Sequence, residues 1–208
     1  MEKHQVHNLI ILDESGSMNS IKNTIIEGFN DLINSLKCIE KEFPEQEHYI
    51  TLISFNSNHN NIIHFNEPVN KIATINNNNY NPESTTPLYD AMGFSILKLK
   101  HFLSDKNNYS VIVTILTDGE ENASKEYSLT SIKRIIEVLK LQNWTFTYIG
   151  TDHDIDKTTI DLNINNKIHF DKSESGIKKM FEIETNSRIK YSLAIREGKL
   201  ILDEDYYK

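Results

Sequence analysis

The stretch His7-Asn8-Leu9-Ile10-Ile11-Leu12-Asp13-Glu14-Ser15-Gly16-Ser17 decides how the chain is read. Its first half is a short apolar run that reads as a strand of about six residues. From Ser20 onward the apolar residues take helical spacing. The polar D-x-S-x-S segment therefore sits where a strand hands over to a helix. In an open α/β sheet that turn lies at the carboxyl end of the strand, where such folds place their ligands. Asp13, Ser15 and Ser17 offer a carboxylate and two hydroxyls at alternate positions. An all-oxygen donor set suits a hard cation such as Mg2+. The same serines also suit a plain turn with Ser17 or Ser20 as helix N-cap. On this stretch alone both readings stay open.

Outward from it, residues 20–42 carry Ile21, Ile25, Phe29, Leu32, Ile33, Leu36 and Ile39 at spacings of three and four, one apolar helical face that Pro44 ends. Residues 49–55 are β-branched and aromatic and read as a buried strand. A short polar turn leads to Ile62-Ile63-His64-Phe65, and so brief a link favours an antiparallel hairpin over a crossover. The Asn-rich run 76–81 reads as a loop. Thr86-Pro87-Leu88 opens a second helix, with Pro87 expected at its first position and Thr86 as N-cap. Its expected apolar face runs from Leu88 through Ala91, Met92, Ile96 and Leu99 to Phe102.

Residues 110–117 are apolar on both faces, as a central parallel strand should be, and end in Asp118-Gly119. A helix over 128–141, a strand over 144–149 and a weak strand at Ile168-His169-Phe170 follow. A last helix from Glu174 carries Ile177, Met180 and Phe181. It either runs to about Glu197, with Gly198 as its stop, or gives way to a hairpin over 191–202. Strands alternating with helices imply a Rossmann-like, doubly wound, mainly parallel sheet with one antiparallel edge strand and helices on both faces. Residues 1–190 are expected to form one domain, and 191–208 an extension of the last helix or a tail.

The composition is that of a soluble globular chain of 208 residues, with 25% charged and 38% hydrophobic residues. A net charge of -8, with no basic stripe, argues against a nucleic-acid footprint. No secretory h-region or membrane-length apolar run is present, so a cytoplasmic location is expected and no membrane contact. The one cysteine, Cys38, is expected to be a partly buried helical side chain. His59, His64 and His101 lack metal spacing with cysteine or one another, and His4 and His7, though close in sequence, are expected to be merely polar near the terminus, so zinc is not assigned.

If the strands ending at Asp13 and Asp118 are neighbours, the crevice above them is the switch point of the sheet, and Thr86 can face it. Here the resemblance becomes specific. Asp13-Glu14-Ser15-Gly16-Ser17-Met18, Thr86-Pro87-Leu88-Tyr89-Asp90-Ala91 and Leu116-Thr117-Asp118-Gly119 resemble, in order, the three metal-motif segments of the von Willebrand factor type A (VWA) domain family. The resemblance spans about residues 5–187 and is to the intracellular bacterial type. It implies a metal-ion-dependent adhesion site. Ser15, Ser17 and Thr86 would be hydroxyl ligands or near-ligands of Mg2+, or of Mn2+. Asp13 and Asp118 would act directly or through water. Thr86 is preferred to Thr85 because the Thr-Pro-Leu step matches the family, although many relatives carry a glycine where this chain has Thr85.

The resemblance further implies a non-enzymatic protein-binding module, an adhesion or scaffold device that captures an Asp or Glu of a partner through the ion. An AAA+ ATPase or another operon-encoded protein is the loosely implied partner. Two other classes compete. One is a metal-dependent hydrolase or phosphotransferase, but G-x-x-x-x-G-K-[ST], H-E-x-x-H and G-x-S-x-G are all absent. The other is a metal-free scaffold. Asp90 is expected to favour the start of its helix through the dipole. Glu120, Glu121 and Asn122 are expected on an exposed loop, and Asp152 and His153 on the same top face.

Overall fold

The first strand, β1 (His4–Asp13), is buried from Val6 to its end and forms the middle of the fold. Its apolar side chains alternate between two cores. Leu9 and Ile11 face one, and Ile10 and Leu12 the other. An apolar run without polar alternation is what a strand covered on both faces requires. The computed structural model describes residues 3–151, 155–199 and 206–208.

After β1, a 3-10 turn over Gly16–Ile21 leads into α1 (Lys22–Glu42). The strands β2 (Gln46–Asn56) and β3 (His59–Pro68) form the expected hairpin. They are followed by α2 (Leu88–Phe102), β4 (Tyr109–Leu116), α3 (Leu129–Lys140), β5 (Trp144–Gly150), α4 (Ile155–Leu162), β6 (Asn166–His169) and α5 (Glu174–Arg196). The sheet order is β3-β2-β1-β4-β5-β6, with β3 antiparallel to β2 and every other pairing parallel. This is the expected Rossmann-like, doubly wound order. On one face α1 and α5 pack together and cover Ile10, Leu12, Ile50 and Leu52. On the other, α2, α3 and α4 cover Leu9, Ile11, Val113 and Ile115. The α1–α5 approach is close at Gly28, where a Cβ would stand 2.1 Å from the Phe181 ring.

Several local expectations are corrected. The serines do not cap α1: its N-cap position is Ile21, and neither Ser15 nor Ile21 makes a side-chain cap bond. The helix α2 starts at Leu88. Pro87 takes the cap position with ψ 67, outside helical geometry, and Thr86 does not cap. Phe102 is 40% exposed and meets Phe65 edge-on at 5.6 Å instead of joining the core. Cys38 is exposed. Of the two readings of the last segment the helix holds: α5 ends at Arg196, and Gly198 follows as the expected stop at φ +62, a left-handed conformation open to glycine. The helix α4 has no counterpart in the expected pattern.

A buried polar layer joins α5 to the sheet. Arg188 bonds Glu184 (2.7 Å), Thr114 (2.9 Å) and Asn8. The Tyr207 hydroxyl donates to the other oxygen of Glu184 at 2.7 Å, and Tyr206 packs with Val6, Ile112 and Tyr191. Among the described residues no helix is long and apolar enough to cross a membrane.

Candidate metal centre

The strands β1 and β4 are parallel neighbours in register from Gln5 with Tyr109 to Leu12 with Leu116. Asp13 therefore emerges beside Thr117, and Asp118 one step beyond. The two chains that follow leave in opposite directions across the sheet, which opens the crevice at the switch point. Asp13 is fully buried and both its oxygens are engaged. Oδ1 accepts the Ser15 amide at 2.7 Å, and Oδ2 the Thr117 hydroxyl at 2.6 Å. Burial pushes its carboxyl up to about 6, against the opposing pull of those two bonds.

Instead of capping a helix, the two serine hydroxyls face each other, 3.1 Å apart. Ser17 Oγ also donates to Asp118 Oδ1 at 2.5 Å. A Cβ added to Gly119 would lie 3.4 Å from Thr86 Oγ1 and 3.8 Å from Ser17 Oγ, so both hydroxyls border one small space beside Gly119. Thr86 is buried and Thr85 exposed. The structure thus brings Ser15, Ser17, Thr86 and Asp118 together, with Asp13 directly beneath Ser15. Asp118 Oδ2 is buried without a hydrogen-bond partner. The ammonium of Lys172 pairs with it electrostatically at 2.7 Å. A buried carboxylate oxygen whose one close partner is a cation, with hydroxyls beside it, fits an oxygen-loving cation. Among the described residues no three His, Cys, Asp or Glu side chains converge on a metal position, so any ion here depends on the hydroxyls.

Further residues hold this crown in place, among them Glu14 and Tyr80, to which sequence reasoning gave no role. Glu14 is buried. It accepts the Ser54 hydroxyl at 2.6 Å and the Asn81 amide, and so ties the loop before Thr86 to the end of β1. Tyr80 donates its hydroxyl to the Asp13 carbonyl at 2.8 Å. Asn122 pairs with the backbone of Thr86 in both directions. Glu121 accepts the Tyr89 amide at 3.0 Å and the Ser124 hydroxyl at 2.7 Å, so it is an anchor, not part of a solvated rim. Asp90 stands in the first turn of α2, as expected, and also clasps the loop after β4 by accepting the amides of Lys125, Glu126 and Tyr127. No spacing rule flags such residues, because nearly all of these partners lie 32 to 67 positions away. Asp152 and His153 lie outside the described residues.

The fold is thus an open α/β sheet that gathers hydroxyls and carboxylates at its switch point, a donor set made of oxygen alone. The sequence match makes this specific: the von Willebrand factor type A domain family matches residues 9–183, and the chain belongs to that family. No curated protein matches it significantly. Among solved structures, pilus adhesin SpaC from Lactobacillus rhamnosus GG is similar at TM-score 0.60 and 12% identity, over 92% of this chain and 31% of that one. Proximal thread matrix protein 1 from the mussel byssus is similar at TM-score 0.55 and 13% identity, over 91% of this chain and 47% of that one. The VWA domain of SpRpn10 is similar at TM-score 0.57 and 12% identity, over 88% of this chain and 95% of that one. This chain therefore spans about a third of the adhesin's length and half of the mussel protein's. At such identities the likeness shows the fold alone.

Proposed function

We propose that this protein is a non-enzymatic binding module that captures an acidic side chain of a protein partner through Mg2+, with Mn2+ as an alternative ion. Ser15, Ser17 and Thr86 would hold the ion through their hydroxyls, and Asp13 and Asp118 directly or through water. When bound, the ion supplies a position electron-poor enough to accept a carboxylate from outside. The observation that carries this reading is the cluster in which Ser15 meets Ser17, Ser17 donates to the buried Asp118, and the Thr86 hydroxyl borders the same small space beside Gly119.

The chain's own residues set the conditions. Asp13 orients Ser15 through its amide. Thr117 and Ser15 keep both Asp13 oxygens occupied, so Asp13 serves as a fixed buried acceptor. Ser17 is exposed while Ser15, Thr86 and Asp118 are buried, which leaves the crown open on one side to a partner. Against a hydrolase, the serine hydroxyls bond each other and Asp118, and among the described residues no histidine bonds either of them. Two of the similar structures carry the printed names of an adhesin and a matrix protein, in keeping with a binding role.

Calorimetric titration of Mg2+ and Mn2+ into chelator-stripped protein tests the reading. One-site binding is expected, lost in Asp118→Ala and in the Ser15→Ala/Ser17→Ala double variant while both stay folded by circular dichroism. Absence of binding to the native protein would overturn the metal-dependent mechanism.

A further inference from the structure

Lys172 lies between β6 and α5, directly before Ser173, the N-cap of α5. Its neighbours are fixed. Asp171 Oδ1 accepts the Ser173 amide at 2.9 Å, and Ser173 Oγ accepts the Gly176 amide at 3.0 Å. Its side chain crosses to the crown and sets the ammonium 2.7 Å from Asp118 Oδ2. The carboxylate end of that pair has no exposed side-chain surface, while the lysine side chain is 38% exposed.

We propose that Lys172 is a tethered counter-cation of the crown, which stands in for the metal ion in the metal-free protein and is displaced when the ion binds. This rests on the metal reading given above. The chemistry is that of mutual exclusion. A buried carboxylate needs a compensating positive charge, and Lys172 supplies it to Asp118. An ammonium at 2.7 Å from Oδ2 stands where a cation engaging that oxygen would stand, and Mg2+ holds its oxygens at ~2.0–2.1 Å. Lysine suits this exchange. It is a compact charge on a flexible four-carbon stem, so it can swing into solvent by side-chain rotation while Asp171 and Ser173 keep the helix start in place. Lys172 thus neutralises Asp118 when no ion is bound, at the cost of a weaker apparent affinity for the ion.

Two measurements on the full chain test this. The first is calorimetric Mg2+ affinity of native protein beside Lys172→Met, a substitution at a half-exposed side chain that keeps the stem's length. The second is acylation of lysines by an amine-reactive reagent, read peptide by peptide, with and without saturating Mg2+, using Lys178 on the outer face of α5 as reference. The variant is expected to bind Mg2+ tighter by up to about fivefold, the range for loss of a partly exposed ion pair. In native protein Mg2+ is expected to raise acylation of Lys172 relative to Lys178. Binding by the variant alone would overturn the metal reading of the native protein, and displacement of Lys172 with it. Equal or weaker affinity in the variant overturns the proposal and leaves the metal reading intact. Tighter binding with unchanged acylation of Lys172 also overturns it, since that describes repulsion at a distance without displacement. No binding by either protein overturns both.

Discussion

Asn122 and Thr86 hold each other in both directions. The Thr86 amide donates to Asn122 Oδ1 at 3.0 Å, and the Asn122 amide donates to the Thr86 carbonyl at 3.2 Å. This pair joins the loop after β4 to the loop before α2, and so sets the distance between Asp118 and the Thr86 hydroxyl. Asn122→Ala removes one of the two bonds. It is expected to cost about 1 kcal/mol in urea unfolding and to weaken Mg2+ binding measured by calorimetry. An affinity equal to native would show that Thr86 is positioned by other contacts.

Asp90 gathers the amides of Lys125, Glu126 and Tyr127, at 2.7, 2.9 and 2.8 Å. Bonds to an ionised acceptor are the stronger kind. Asp90→Ala is expected to destabilise the fold by about 1–3 kcal/mol. Amide hydrogen exchange should speed up first at residues 125–127 while β1 and β4 stay protected. Uniform acceleration would argue for a role in global stability alone.

Two histidines make the fold sensitive to acid. Burial lowers His48 to about 3, with Arg188 and His4 adding to the effect, and lowers His7 to about 4. Both ring nitrogens of His48 lack hydrogen-bond partners. The unfolded chain would protonate these rings near pH ~6.5. Below that pH the unfolded state binds more protons than the folded one, so stability falls as pH drops from about 6.5 toward 4. Each ring contributes up to about 1.4 kcal/mol per pH unit. Above pH ~6.5 neither contributes a slope. His48→Met should flatten the dependence between pH 5 and 7 in urea unfolding, and an unchanged slope would count against the assignment.

Arg188 and Glu184 are both buried, 2.7 Å apart. Removing one charge strands the other. Arg188→Ala is expected to cost about 3–5 kcal/mol in urea unfolding. Exchanging both residues for apolar ones of similar volume should cost less than the sum of the single substitutions, a coupling that a double-mutant cycle measures. Additivity would mean that Thr114, Asn8 and Tyr207 already satisfy each charge separately.

Much of the fold is legible in residue patterns. Leu9 to Leu12 are apolar without a break, and Val111 to Leu116 are so but for Thr114, which only strands covered on both faces need. The spacing of Ile25, Phe29, Leu32 and Leu36 marks α1 equally well. The helix α4 escapes because it is short, with only Ile155, Thr159 and Leu162 turned inward among charged neighbours. The serines mislead because capping and oxygen-ligand chemistry use the same side chains, and only their mutual approach in space separates the two. Lys172 lies in a polar stretch, Asp171-Lys172-Ser173, where sequence gives a cation no address. Its meaning comes from β6, which delivers it beside a strand end more than fifty residues earlier.

The placement of the crown between β1 and β4 bears on how the protein assembles. Its members come from residues 13–17, 86, 118 and 172, and the two central strands pair across about a hundred positions of chain. Contacts of such sequence separation form late and slowly, because loop closure must precede them. No contiguous half of the chain contains the cluster. A chain cut in the turn between α2 and β4 would leave Ser15 and Ser17 on one fragment and Asp118 on the other. The hydroxyl–carboxylate cluster is therefore a reporter of finished folding, and its recovery would score the reassociation of two separately expressed fragments.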